Sequence, residues 1–167
     1  MFQSRIDVLF VSQRNSLRSL LAQACLNHLG RGRFLAHSCG SAVPVDGQPH
    51  PLVAQALQAA GMPTDKLASK GWNLYARGDH NPMRFVITLS DDSASRQAPL
   101  WPGQPDTALW TFPDLLDRAR PGPASPQEVM AMLHTLRRRI ELLVSLPMRG
   151  AAAGDLRSDL RDLAYVD

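Results

Sequence analysis

Residues 6–19, IDVLFVSQRNSLRS, constrain the fold more than any other part of the sequence. Residues 6–11 are almost all apolar, which is typical of a strand that is buried on both faces of a parallel sheet. Directly afterwards the chain turns into a helix that begins near Leu17. Such a turn collects unpaired backbone N–H groups at the positive end of a helix dipole. We therefore expect an anion-binding loop at residues 12–18, where Arg18 supplies a guanidinium that suits a tetrahedral oxyanion.

Strand-like and helix-like segments alternate along the rest of the chain. Apolar and β-branched runs predict further strands at residues 34–38, 84–89 and 108–112. Apolar residues at helical spacing predict helices at residues 17–29, 51–60 and 72–76. This alternation predicts an α/β fold, a three-layer sandwich in which helices cover both faces of a four-stranded parallel sheet. The strand at residues 6–11 should lie away from the edge of that sheet.

The last long helix has the clearest boundaries in the sequence. Ser125 is an N-cap, Pro126 suits the first helical position, and Glu128 completes a capping box. An apolar stripe follows, formed by Val129, Leu133, Leu136, Ile140 and Leu143. We expect one domain at residues 1–149 and a tail at residues 150–167. Two alternatives stay open for the tail, a mobile segment and a short docking helix with Leu156, Leu160 and Leu163 on one face.

The composition sets limits on partners and location. A net charge of +3 is too small to indicate a nucleic-acid partner, and the arginines at residues 137–139 are expected on a solvated helix face. Cys25 and Cys39 lack metal-ligand spacing, so we expect buried structural thiols, no metal and no cofactor. Neither a signal-peptide pattern nor a stretch able to span a bilayer is seen, which favours a cytoplasmic location without a membrane partner. The sequence indicates no oligomeric state.

The 12–18 loop resembles the phosphate loop of the low-molecular-weight protein tyrosine phosphatases and of the arsenate reductases that share their fold. The pattern of that family is an apolar strand followed by Cys, five residues, Arg and Ser, usually with Gly-Asn inside the loop. Asn15, Arg18 and Ser19 match the pattern. The nucleophile position is Ser12, and the usual loop glycine is Arg14. A glycine takes a positive φ easily, whereas arginine there is strained by about 1 kcal/mol, so the conformation at residue 14 should decide whether the cradle forms.

The stretch at residues 86–114 is similar to the arsenate reductase branch of the family. The matching residues are Val86, Ile87, Thr88, Pro99, Trp101, Pro102, Gly103, Trp110, Phe112, Pro113 and Asp114. Ser90 and Ala98 replace the two redox cysteines of that branch, Leu109 replaces a histidine, and Leu115 replaces a proline. The resemblance extends over residues 6–146 and implies a fold like that of phosphotyrosine protein phosphatase I.

The resemblance also implies roles for individual residues. In the family a thiolate attacks phosphorus or arsenic, the loop N–H groups and the arginine hold the oxyanion, and an aspartic acid protonates the leaving oxygen. Ser12 then takes the nucleophile position and Asp114 the general-acid position, with Arg18 as the catalytic arginine. The implied ligand-binding residues are Gln13, Arg14, Asn15, Ser16, Leu17, Arg18 and Ser19.

Chemistry argues against catalysis by this chain. A serine hydroxyl is far less acidic than a thiol, and no motif places a histidine or other base beside Ser12. Ser90 and Ala98 remove the other thiols that the reductase branch uses. We therefore expect an inactive protein that binds phosphate, sulfate or arsenate, or a phosphorylated protein. An engineered change would explain Ser12 alone but not Arg14, so natural divergence is favoured.

Other interpretations of the same residues stay open. One is a divergent, or Cys-to-Ser-substituted, phosphatase or arsenate reductase with residual phosphate-ester chemistry, and another is a structural module that binds a protein. Asn15 could serve only to stabilise the turn, Ser19 to satisfy loop amides, and Asp114 to cap the segment after it. Trp101 and Trp110 could belong to the core or to a cleft wall.

Overall fold

The computed structural model describes residues 5–42, 47–90, 98–148 and 153–167. Its strands are β1 (Ile6–Ser12), β2 (Phe34–Gly40), β3 (Phe85–Thr88) and β4 (Asp106–Leu109). They form one parallel sheet in the order β2-β1-β3-β4, so β1 is an inner strand. The predicted four-stranded parallel sheet and the inner position of its first strand are confirmed.

In the described ranges the helices lie between β1 and β2, between β2 and β3, and after β4. They are α1 (Arg18–Leu29), α2 (Pro51–Ala59), α3 (Asn73–Ala76), α4 (Pro126–Ser145) and α5 (Ala153–Asp162), followed by a 3₁₀ turn at Leu163–Tyr165. Helix α4 begins at the predicted capping box: the Ser125 hydroxyl accepts from the Glu128 N–H, and the Glu128 carboxylate accepts from the Ser125 N–H. No helix in the described ranges is both long and apolar enough to cross a membrane.

Alternate side chains of β1 are buried on opposite faces of the sheet. Val8 and Phe10 belong to the core that includes the apolar sides of α1, α2 and α4. Leu9 and Val11 pack on the other side with a smaller cluster around Trp72 and Tyr75 near α3. Because both faces are covered, an uninterrupted apolar run is the pattern that this strand requires.

Strand β4 begins two residues earlier and ends three residues earlier than the sequence predicted. The N–H groups of Asp106 and Trp110 bond to the carbonyls of Arg84 and Thr88 in one register, but the Phe112 N–H bonds to the Leu89 carbonyl, one residue out of that register. The predicted end of the strand at residue 112 is therefore wrong, because the ladder slips before it. The start was missed because aspartate is uncommon in strands.

Arg139 is buried, which corrects the expectation that residues 137–139 form a solvated face. It is only 5% exposed and shares the apolar side of α4 with Leu136 and Leu143, at helical spacing. Its guanidinium carbon lies 4.6 Å from the centre of the Phe112 ring, and its Nε donates to the Val166 carbonyl at 2.8 Å. Packing against an aromatic face and a backbone acceptor offsets the cost of removing this cation from water.

Helix α5 packs beside β4. Its leucines Leu156 and Leu160, together with Leu163 of the 3₁₀ turn, are buried in the main core. The Trp110 indole Nε1 donates to the Leu160 carbonyl at 3.0 Å, and Arg157 pairs with Asp106 at 3.0 Å. The buried leucines and the indole hydrogen bond tie residues 153–167 to the sheet.

Shortening a side chain of α5 should destabilise the whole domain. We expect Leu160→Ala to lower the free energy of unfolding by about 2–5 kcal/mol, since Leu160 is fully buried and the change leaves a cavity. The control is Asp159→Ala, which alters an exposed neighbour on the same helix and should cost less than about 0.5 kcal/mol. Urea unfolding measures both, and equal stabilities of the two variants would show that α5 does not pack as described.

Candidate functional site

The 12–18 loop lies where strand β1 ends and helix α1 begins. Strands β1 and β3 are neighbours in the sheet, but the connection after β1 leads to β2 on one side and the connection after β3 leads to β4 on the other. In open parallel sheets a crevice forms at such a point and ligands bind there. The topology therefore places residues 12–19, the site residues predicted from the sequence, at the carboxyl ends of the strands, where ligands bind in sheets of this kind.

The loop carbonyls are hydrogen-bonded to the segments that follow β2. Ser12 and Gln13 accept from the N–H groups of Ser41 and Ala42 at 3.0 and 2.9 Å, and Ser16 accepts from the His50 N–H at 2.9 Å. The N–H groups of residues 13–17 find no acceptor of this kind within the described ranges. The loop carbonyls thus accept hydrogen bonds from other parts of the protein, whereas the loop N–H groups remain as a set of donors at the N-terminus of α1.

Asn15 shapes the loop. It takes the left-handed conformation, with φ 52°, and is completely buried. Its side chain accepts from the Lys70 N–H at 2.8 Å and donates to the Ser19 hydroxyl at 2.7 Å, while its carbonyl accepts from the Ser69 hydroxyl at 2.7 Å. The sequence-based interpretation of Asn15 as a turn stabiliser fits these contacts.

The positive φ therefore falls on residue 15 and not on residue 14. Of the two conformations that the sequence left open for Arg14, the structure shows the one without strain, because Arg14 is not among the described residues with positive φ. Asparagine tolerates the left-handed region better than most residues, so the turn forms without a glycine. Arginine at position 14 is consequently compatible with this loop.

The Ser12 side chain contacts another hydroxyl. It is 2% exposed, and its Oγ lies 2.7 Å from the Ser19 Oγ. Within the described part of the chain, no imidazole or carboxylate hydrogen-bonds to Ser12. A serine nucleophile needs a positioned base to take its proton, and this geometry provides none there.

Two arginines converge on one carboxylate. The Arg14 Nη1 lies 2.5 Å from the Asp114 Oδ2, and the Arg18 Nη2 lies 3.8 Å from the Asp114 Oδ1. Arg18 also donates to the Phe112 carbonyl at 3.2 Å, and its side chain is only 6% exposed. The fold thus brings the predicted general-acid position next to the loop, although 100 residues separate Asp114 from Arg14.

The cavity between these groups is small. It has a volume of about 10 Å³, room for about one water molecule. The lining residues are Ser12, Arg14, Ser16, Leu17, Arg18, Asp114 and Leu116. Gln13, Asn15 and Ser19 were predicted to bind the ligand but do not line this cavity.

The environment of Asp114 keeps its carboxyl group ionised. Burial acts to raise the pKa of Asp114, but hydrogen bonds from Arg14 and the Leu116 N–H, with the nearby charge of Arg18, outweigh it and lower the pKa. The Leu116 N–H donates to Oδ1 at 3.0 Å, so Asp114 also caps the turn after it. A carboxyl group with a lowered pKa is a poor proton donor at neutral pH.

Several residues that support the site were not identified from the sequence. Ser69, Lys70 and the Phe112 carbonyl contact the loop, yet they are distant in sequence and act largely through backbone atoms. No side-chain pattern marks such contacts. Trp110 is fully buried in the core, whereas Trp101 is partly buried and packs edge-on against Trp72.

Cys25 and Cys39 are buried away from the cavity lining, as expected of structural thiols. Burial raises the pKa of Cys25 to about 12 and raises the pKa of Cys39 as well. We therefore expect neither thiol to react with a thiol-specific reagent in the native protein at about pH 8, and both to react after unfolding in urea. Rapid modification of the native protein would mean that a thiolate is accessible.

Comparisons with known proteins agree with this geometry. The family described as low molecular weight phosphotyrosine protein phosphatase matches residues 7–117, a range that contains both the 12–18 loop and Asp114. Comparison with curated protein sequences gives no significant match.

Several solved structures are similar in fold. An arsenate reductase from Archaeoglobus fulgidus has 19% identity and a TM-score of 0.62, over 83% of this chain and 99% of that one. An arsenate reductase in the phosphate binding state has 23% identity and a TM-score of 0.66, over 84% and 97%. A low molecular weight protein tyrosine phosphatase from T. tengcongensis has 18% identity and a TM-score of 0.62, over 84% and 99%. With the family match across two thirds of its length, the chain belongs to the low molecular weight phosphotyrosine protein phosphatase family.

Proposed function

We propose that this protein is a catalytically inactive family member that binds a tetrahedral oxyanion, or the phosphoryl group of a modified protein, at the 12–18 loop. The observation that carries the proposal is the set of N–H groups at residues 13–17, which have no protein acceptor in the described ranges and surround the start of α1. Backbone donors in such a position need an acceptor, and the helix dipole favours an anionic one.

Arg18 adds charge to these donors. Its side chain is almost completely buried at the first position of α1 and lines the same cavity as Ser12. A guanidinium in this place offers a planar pair of donors to an oxyanion. One of the solved structures similar in fold is an arsenate reductase in the phosphate binding state, which supports phosphate as the simplest probe.

Inactivity follows from the chemistry of two positions. The Ser12 hydroxyl contacts Ser19, and no imidazole or carboxylate in the described ranges hydrogen-bonds to it, so nothing there activates it as a nucleophile. Asp114 is held ionised by Arg14 and the turn after it, so it does not supply a proton to a leaving group. Ser90 and Ala98 leave no thiol at either redox position, which argues against arsenate reduction.

A cytoplasmic location is part of the proposal. Both cysteines are free, and free thiols fit a reducing compartment. A phosphorylated partner protein, if bound, would present its phosphoryl group to the loop from the partly exposed Arg14 side, since Arg18 is buried.

Phosphate, sulfate and arsenate should stabilise the protein against heat. A ligand present at ten times its Kd is expected to raise Tm by about 3–6 °C for a chain of this size. Arg18→Ala should abolish the shift, because it removes the buried guanidinium, and Arg18→Lys should retain part of it because the charge remains.

The matched control for the loss of charge is Arg137→Ala. Arg137 belongs to an exposed ion pair with Glu141, and its removal should leave the phosphate shift unchanged. Isothermal titration gives the Kd of each variant directly. A wild-type protein with no phosphate shift, or one whose shift survives in Arg18→Ala, would contradict anion binding at this loop.

Hydrolysis of an aryl phosphate should be no faster with the wild-type protein than with Ser12→Ala. The reason is that no base hydrogen-bonds to the Ser12 hydroxyl in the part of the chain that the structure describes, and that the lowered pKa of Asp114 makes its carboxyl group a poor proton donor. Steady-state assays with matched preparations of the two proteins make the comparison. A wild-type rate well above that of Ser12→Ala would identify a divergent phosphatase instead.

A further inference from the structure

The cavity at the 12–18 loop is too small for a phosphate. Its volume of about 10 Å³ suits about one water molecule, and a phosphoryl group with its oxygens needs several times that space. The ion pair between Arg14 and Asp114 borders the cavity, and the Asp114 carboxylate faces both guanidinium groups. Asp114 therefore occupies the position toward which an external anion would be drawn.

We propose that Arg14 and Asp114 form a clasp over the 12–18 loop, and that a bound anion opens it by replacing the Asp114 carboxylate as the partner of Arg14. The inference rests on the proposed function, since it describes how the same loop admits its ligand. Arg14 is then a ligand-selecting residue, and Asp114 is an internal competitor of the ligand.

The clasp is built so that it can open. The Arg14 side chain is 34% exposed, so its guanidinium reaches water on one side. Asp114 retains a hydrogen bond from the Leu116 N–H at Oδ1, while Arg14 contacts the other oxygen, Oδ2. Breaking the ion pair therefore leaves the turn at residues 114–116 with its own hydrogen bond.

The clasp also determines which ligand charge is favoured. With Asp114 in place, one negative charge faces the positive charges of Arg14 and Arg18. A monoanion would only replace the Asp114 carboxylate as the partner of Arg14, so one negative charge would take the place of another. A dianion brings a second negative charge to the two guanidinium groups, so a dianionic ligand should displace Asp114 from Arg14 more readily than a monoanionic ligand. A phosphate monoester has a second pKa of about 6 and is a dianion above it.

The test is phosphate binding by isothermal titration at about pH 8, where inorganic phosphate is mostly a dianion. The variants are Asp114→Asn, Arg14→Gln and the double variant. Asparagine keeps the size of the side chain and an oxygen for the Leu116 N–H, so the turn survives while the charge is lost. The matched control is Asp117→Asn, an exposed aspartate that caps a similar turn through the Ala119 N–H.

We expect Asp114→Asn to lower the Kd for phosphate by about threefold to tenfold, because the internal competitor is gone. Asp117→Asn should change the Kd by less than about twofold, which separates the clasp from a general effect of net charge. In the Arg14→Gln background the gain from Asp114→Asn should fall below about twofold, since only the longer contact of Asp114 with Arg18, at 3.8 Å, remains.

A second part of the test varies the charge of the ligand. Methyl phosphate, a dianion at this pH, should bind the wild-type protein at least about tenfold more tightly than dimethyl phosphate, a monoanion. In Arg14→Gln this preference should shrink, because one of the two cations is gone.

The outcomes separate the clasp from the proposed function. Phosphate binding by the wild-type protein that Asp114→Asn does not tighten would overturn the clasp and leave the oxyanion site intact. An equal gain from Asp114→Asn with and without Arg14 would also overturn it. Binding that is seen only after Asp114→Asn would overturn the opening of the clasp by an anion and would also contradict the proposed function, because the wild-type protein would then bind no phosphate. No binding by any variant overturns both ideas as well.

Discussion

Asn15 turns the chain from strand β1 into helix α1 in a left-handed conformation, and contacts with Ser19, Ser69 and Lys70 hold it there. The site depends on this buried amide, because it directs the loop N–H groups towards the helix start. A side chain with both a donor and an acceptor is needed to satisfy the Ser19 hydroxyl and the Lys70 N–H together. An apolar residue of similar size would leave the Lys70 N–H without this acceptor and the Ser19 hydroxyl with only its contact to Ser12.

The balance of charge at the loop differs from that of a working acid catalyst. A general acid must hold its proton until the leaving group needs it, so its pKa should lie near the working pH. Asp114 instead lies against Arg14 and near Arg18, and its pKa is lowered despite partial burial. Arg14, which takes the place of the usual glycine, therefore forms an ion pair with the residue at the general-acid position.

Much of the fold could be predicted from the sequence, because burial on both faces leaves an uninterrupted apolar run in β1 and a capping box marks the start of α4. The predictions failed where tertiary contacts decide. The register slip at Phe112 depends on a hydrogen bond to Leu89, and Arg139 is buried because an aromatic ring and a carbonyl meet it there. At the site, the loop residues could be predicted from the sequence. The pairing of Arg14 with Asp114 could not, because it joins residues far apart in sequence and has no local signal.

Phe112 links the loop to the C-terminal part of the chain. Its carbonyl accepts from Arg18, its ring lies under the Arg139 guanidinium, and Arg139 in turn holds the Val166 carbonyl. Phe112 thus contacts one charged group at the site, Arg18, and another in the core, Arg139. The position of the Arg18 guanidinium is therefore linked through Phe112 to Arg139 and Val166, two residues that lie outside the part of the sequence matched by the family.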